Sequence, residues 1–178
     1  HEVSRAFRTE MNVFHNDMTD LVQLIVSADR SHFDWVNVAD ARSTGVELVA
    51  NGQAVDWLGY YANYTYTDSE DLATGNLLAR VPRHKVNLGL QVGAWLGSWR
   101  LTGSLDQRWV DDRFQTSRGR PVWLEEYVRT DFGLYLRPND DLRVGIQVLN
   151  LMDAYYEESL GAPTAARMYS VSLAVTPF

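Results

Sequence analysis

The chain has no cysteine among its 178 residues, a single lysine, only five prolines, and no long apolar run. Each shortage closes a class of protein. Without cysteine there is neither a disulfide framework nor a thiolate metal site, although an oxidising compartment stays open. Lys85 stands alone among arginines, and 16 basic residues face 23 acidic ones for a net charge of −7. That balance supplies no polybasic tract and excludes a nucleic-acid partner held through phosphate contacts. Apolar fragments such as Leu21–Val26 fall far short of the ~18 residues a membrane helix requires. Strands remain open as a way across, because about 9–11 residues suffice and alternation hides their apolarity.

What is present is alternation. In the stretch Arg80–Val92 the apolar residues are Val86, Leu88, Leu90 and Val92, and the polar or small ones are Arg83, Lys85, Asn87, Gly89 and Gln91. Successive side chains on a strand point to opposite faces, so this segment has an oily face and a wet one. The same period returns along 5–26 (with His15–Thr19 as a bulge or bend), 33–50, 56–68, 99–111, 128–137, 142–148 and 167–178. About eight antiparallel strands and no helix are expected: an all-β barrel or sandwich. Short turns at 51–55, 96–98 and 138–140 alternate with long connections at 28–33, 69–79, 112–126 and 153–166. Outer-membrane barrels alternate in this way, with short turns inside and long loops outside. Trp57, Trp95 and Trp99 fall near the short turns, and Trp35, Tyr64, Tyr66 and Trp109 near the long loops, as two interfacial girdles would require.

Alternation alone fits both a membrane barrel, with the aliphatic face in lipid and arginines in a wet lumen, and a soluble β-domain binding a small apolar ligand. Strand length, loop asymmetry and aromatic placement favour the antiparallel transmembrane barrel. A self-contained eight-stranded barrel with a structural or adhesion role is the alternative within that class.

The chemistry of catalysis is not visible. No nucleophile-elbow motif accompanies the four histidines, and His15, His32 and His84 lack ligand-like spacing. No enzyme, no metal site and no cofactor are expected. The acidic pairs Asp111-Asp112, Glu125-Glu126 and Glu157-Glu158 read as solvated loop charge. Ligand contacts are expected in the long loops, which a rigid scaffold presents for recognition. The candidates are Arg118, Trp123, Tyr155 and Tyr156 in loops, with Arg83 and Arg108 among the lumenal arginines. Those arginines suit a carboxylate-rich ligand or, more simply, pairing with Glu47, Asp106 and Asp131.

Five stretches carry a resemblance: Ala41-Arg-Ser-Thr-Gly-Val-Glu47, Asn63-Tyr-Thr-Tyr-Thr-Asp68, Val81-Pro-Arg-His-Lys85, Val148-Leu-Asn-Leu-Met-Asp-Ala-Tyr-Tyr156 and the terminal Phe178. In order and spacing they resemble the C-terminal barrel of TonB-dependent outer-membrane receptors. Phe14-His-Asn-Asp-Met-Thr-Asp-Leu21 looks most like the cobalamin and siderophore branches. The resemblance implies that residues 1–178 are the C-terminal segment of a barrel of about 22 strands, with the plug domain absent. It also implies outer-membrane lipid around the barrel, coupling to the TonB system through that plug, and uptake of a small nutrient such as a ferric siderophore or cobalamin, and it makes the absent plug a further alternative contact for the lumenal arginines. Phe178 departs from the pattern, one residue out of phase with Tyr169, Val171, Leu173 and Val175, and a bulge at Val175–Pro177 is expected to restore it.

Overall fold

A computed structural model of the protein describes residues 2–4, 7–26, 33–117 and 120–175. The described residues form strands and connections, with no helix among them. In chain order the strands are β1 (Glu2–Ser4), β2 (Phe7–Val26), β3 (Phe33–Val55), β4 (Leu58–Asp71), β5 (His84–Leu96), β6 (Trp99–Val110) and β7 (Arg113–Ser117). They continue with β8 (Arg120–Leu124), β9 (Tyr127–Arg137), β10 (Leu142–Leu149), β11 (Glu157–Ser159), β12 (Ala162–Pro163) and β13 (Met168–Val175). One antiparallel sheet runs in the order β1-β2-β3-β4-β5-β6-β9-β10-β13. Apart from the three-residue β1, its members are the eight strands that the alternation predicts.

Residues paired across an antiparallel ladder share a face, so the register assigns the faces. One row joins Tyr60, Leu90, Leu105, Phe132, Val148 and Tyr169; another joins Leu58, Val92, Gly103, Leu134, Ile146 and Val171. These large apolar side chains meet no opposing layer: Leu90 is 50% exposed and Val171 78%. Buried apolar residues among those described are few (Ala41, Val110, Leu124, Tyr127 and Tyr156), and none is a sheet-on-sheet core. A soluble β-domain would bury its aliphatic face. Here that face is the outside of a barrel wall, and its solvent is lipid. Along β5 the apolar face from Val86 to Leu96, inclined at ~40° with a rise of ~3.3 Å per residue, is about 25 Å tall, the height of the apolar band on outer-membrane barrels.

The boundaries depart from expectation in five places. Asn51-Gly52 is not a turn; β3 runs on to Val55, with Asn51 opposite Tyr61 and a register shift after Gln53, so the turn shrinks to Asp56-Trp57. Strand β5 starts at His84, because Pro82 has no N–H for a ladder and Arg80 turns the chain at φ 66°. β2 is unbroken at His15, which pairs with Thr44; its irregularity lies between Met18 and Leu21, where Asp20 takes φ 58°. The expected loops 112–126 and 153–166 each hold a small hairpin, β7–β8 and β11–β12.

Among the described residues β13 pairs only with β10, so the sheet is an open arc. That corrects the alternative of a self-contained eight-stranded barrel, which requires β13 to meet the first strands. The expected bulge before Phe178, like Arg118 and the 28–32 connection, lies outside the described residues.

Candidate functional site

The wet face of the sheet carries ordered rows of charge. Asn63, Asn87, Arg108 and Arg129 face one another across β4, β5, β6 and β9. Two residues along, the next row is Tyr61, Gly89, Asp106 and Asp131. Like charges directly opposite repel, but each cationic position here has an acidic neighbour in the adjoining row. Arg129 donates to Asp131 Oδ2 from Nε at 3.1 Å and from Nη2 at 2.7 Å. Arg108 donates to Asn87 Oδ1 at 3.2 Å rather than to an acid, and Asp106 accepts the Tyr61 hydroxyl at 2.7 Å. Together with Ser104, Tyr135 and Gln147 these residues line a polar trough of about 270 Å³. Asp131 also accepts the backbone N–H of Asn150 at 2.9 Å, tying the trough to the connection after β10.

At the end of the sheet opposite the short turns, the two small hairpins dock on the strand tips. Val110, Tyr127 and Tyr156 form a buried cluster there. Tyr156 stacks on Tyr127 with centroids 4.0 Å apart and planes 15° from parallel, and Arg113 lies over the Tyr127 ring at 5.1 Å. Arg113 is 4% exposed and donates to the Glu157 carbonyl at 2.7 Å. The Tyr127 hydroxyl donates to Glu158 Oε1 at 3.2 Å, and Gln115 Oε1 accepts the Leu160 N–H at 3.1 Å. The second hairpin is therefore fastened to the first by a clamp of charge, stack and backbone bonds. Beside this clamp Asp112 has its carboxyl pushed above the usual range by burial and by Asp111.

The sequence-predicted contact residues separate into distinct environments. Trp123 sits on β8 against Phe114, 6.1 Å between centroids, and is 56% exposed. Tyr155 is 78% exposed, its hydroxyl donating to Glu157 Oε1 at 2.9 Å, which raises its pKa. Tyr156, its neighbour in sequence, points the other way into the clamp. Arg83 lies at the outer rim, 3.6 Å from Asp68, in a crevice shared with Leu77, Val81, Phe114 and Trp123. Arg108 is in the lumenal trough, apart from all of these. Arg113 and Tyr127 are missing from the sequence-based set, since a charged residue in a polar loop gives no sign of burial. Tyr61 and Tyr135 are missing too, although glycines facing an aromatic across a strand are a legible signal.

No group of three or more metal-ligating side chains assembles among the described residues. Of the aromatics near the short turns, Trp99 pairs with Leu96 on the apolar face, whereas Trp95 pairs with Arg100 on the wet one.

Comparison with known proteins agrees with this architecture. The family described as TonB dependent receptor-like, beta-barrel, matches residues 4–151. The heme/hemopexin utilization protein C of Haemophilus influenzae is 24% identical over 163 residues, covering 85% of this chain and 23% of the relative. The metal-pseudopaline receptor CntO of Pseudomonas aeruginosa is 29% identical over 163 residues, covering 84% of this chain and 23% of the relative. The solved ferripyoverdine receptor of the outer membrane of Pseudomonas aeruginosa superposes with a TM-score of 0.70 at 16% identity, over 95% of this chain and 25% of that one. The chain thus spans less than a quarter of the length of these curated relatives. An open arc of alternating strands, an exposed apolar band and docked outer hairpins agree with the family match: the chain belongs to the TonB-dependent receptor β-barrels of the bacterial outer membrane.

Proposed function

We propose that this chain is part of the wall of an outer-membrane receptor that takes up a scarce metal-bearing nutrient, a ferric siderophore or a related chelate, with energy delivered through TonB. The remaining strands and a plug domain complete the receptor. The observation that carries the reading is the outer-end platform, where exposed Trp123 and Tyr155 and half-buried Phe114 sit on a base fixed by Arg113, Tyr127 and Tyr156. Aromatic side chains on an ordered base offer large contact area at little conformational cost. The relatives' names point to heme, metal-pseudopaline and ferripyoverdine, which favours such chelates over cobalamin. Trp123, Tyr155 and Arg83 are the contacts proposed at the outer end, with Arg118, which lies outside the described residues, Tyr156 as support, and Arg108 along the lumenal path.

The test is binding to the intact receptor, followed by tryptophan quenching with a panel of ferric siderophores, heme and cobalamin. One of the iron chelates should bind, and Trp123→Ala should weaken it by about tenfold or more, as loss of a central aromatic contact does. Uptake of the same compound should cease in cells without TonB. Tight binding of cobalamin alone, or uptake independent of TonB, would overturn the proposal.

A further inference from the structure

The lumenal arginines near the short turns differ from those of the central trough. Arg100 stands directly opposite Arg137, and Arg143 lies one step beyond the pair Val144–Leu136, next to Arg137. Three cations thus occupy three adjacent strands at facing positions, an arrangement that repels. In the central trough the facing Arg108 and Arg129 have Asp106 and Asp131 two residues along. Here the residues two along towards the trough are Thr102, Tyr135 and Gly145, which carry no charge, and Asp141, two along from Arg143 the other way, lies in the turn before β10. Arg143 lies over the Tyr135 ring at 4.0 Å, which holds its guanidinium in place without neutralising it. Among the described residues none of the three makes an ion pair, although Asp140 and Asp141 occupy the turn between β9 and β10. The three arginines, with Gln91, Thr102 and Tyr135, line one polar cavity of about 190 Å³.

We propose that Arg100, Arg137 and Arg143 form an anion site at the short-turn end of the lumen, which takes a phosphate or the carboxylate of a small molecule. A forked donor on each strand matches the flat or tetrahedral oxygens of such groups, and the bound anion relieves the repulsion among the three cations. The site does not depend on which nutrient the receptor carries, so it stands or falls separately from the uptake reading.

The experiment uses the intact receptor in a phosphate-free, uncharged detergent, titrated separately with inorganic phosphate and with citrate. Calorimetry should show one saturable site, weakened by added salt, and the anion should raise the unfolding temperature as a native-state ligand does. Whichever of the two binds more tightly identifies the source of the oxygens. Arg137→Gln should weaken binding about tenfold or more, the loss expected for one charge-assisted contact. The triple Gln variant guards against a folding artefact: without anion it should unfold at the same temperature as the native receptor or higher, because its repulsion is gone. The proposal fails if neither anion binds the native receptor. It also fails if the triple variant gains as much stability from the anion as the native protein does.

Discussion

Tyr61 lies flat across Gly89 on the neighbouring strand, so that a Cβ at position 89 would run into the tyrosine ring at Cε1. The ring is held there by its hydroxyl, which donates to Asp106 at 2.7 Å. Tyr135 uses Gly133 and Gly145 in the same way, with a Cβ at Gly145 meeting its Cδ1 at 2.6 Å. The lumenal surface is therefore covered partly by rings laid over glycines, an arrangement that protects backbone where no side chain projects. Gly89→Val should cost about 1–3 kcal/mol, the range for overpacking a filled site. Tyr61→Ala in the same molecule should return part of that loss. Urea unfolding in detergent of the two single variants and the double variant measures the coupling. Additive losses would show that the ring and the glycine do not depend on each other.

The assignment of faces makes a second prediction. Leu90 lies midway along the apolar face of β5, and Gln91 faces the lumen. Leu90→Arg should destabilise the barrel in phospholipid vesicles by about 2–4 kcal/mol, the cost of an arginine near the bilayer midplane. Gln91→Arg should cost far less, since its side chain stays in water. A large loss at 91 with little at 90 would reverse inside and outside.

How much of this was legible follows from the periods involved. Val86, Leu88, Leu90 and Val92 announce the lipid face because a wall one sheet thick leaves alternation uninterrupted. Of the family marks, Val81–Lys85 and Val148–Tyr156 lie at strand ends, where turn chemistry recurs, whereas Ala41–Glu47 and Asn63–Asp68 lie within β3 and β4 and keep the alternation. Turn positions were less so: Asn51-Gly52 reads as a turn locally, but pairing with Tyr60 and Tyr61 carries the strand past it. The hairpin β7–β8 was hidden in a charged stretch because docking on the second hairpin stabilises it, and sequence period does not encode such docking. In the candidate site, exposed Trp123 and Tyr155 could be read as aromatics in loops. The opposite fates of adjacent Tyr155 and Tyr156 could not, since the buried stack depends on Tyr127, brought alongside by the fold.

Arg113 tests that dependence. Its guanidinium donates to the Glu157 carbonyl and covers the Tyr127 ring, so Arg113→Ala removes that carbonyl's donor and uncovers the ring face it lay on, leaving the Tyr156 stack in place. The local cost should be about 1–3 kcal/mol. Limited proteolysis should cut the 153–166 connection faster, while the heat-modifiable migration of the barrel stays as it was. Equal protease resistance in the variant would mean that the two hairpins pack independently.

The outer extension of β2 and β3 predicts a titration. Asp17 lies four residues beyond Val13 on the outward face of β2, before the irregularity at Met18–Leu21, and pairs with Arg42. The Arg42 Nε–H bonds to its Oδ1 at 2.9 Å and His15 Nε2 lies 3.1 Å from Oδ2, and these hydrogen bonds, Arg42's first, hold the carboxyl below its ordinary pKa of 3.8. A depressed folded pKa contributes stability that is fully present above the unfolded value and is lost as pH falls through the folded one. The contact should therefore be intact at neutral pH and weaken only in strong acid, and its exposure to water keeps the effect small. Carbon-detected NMR of the Asp17 carboxyl should find a midpoint below 3.8. Arg42→Gln should move that midpoint upward further than His15→Ala does, because the arginine supplies the larger share. The reverse order, or no movement in either variant, would place the cause of the shift elsewhere.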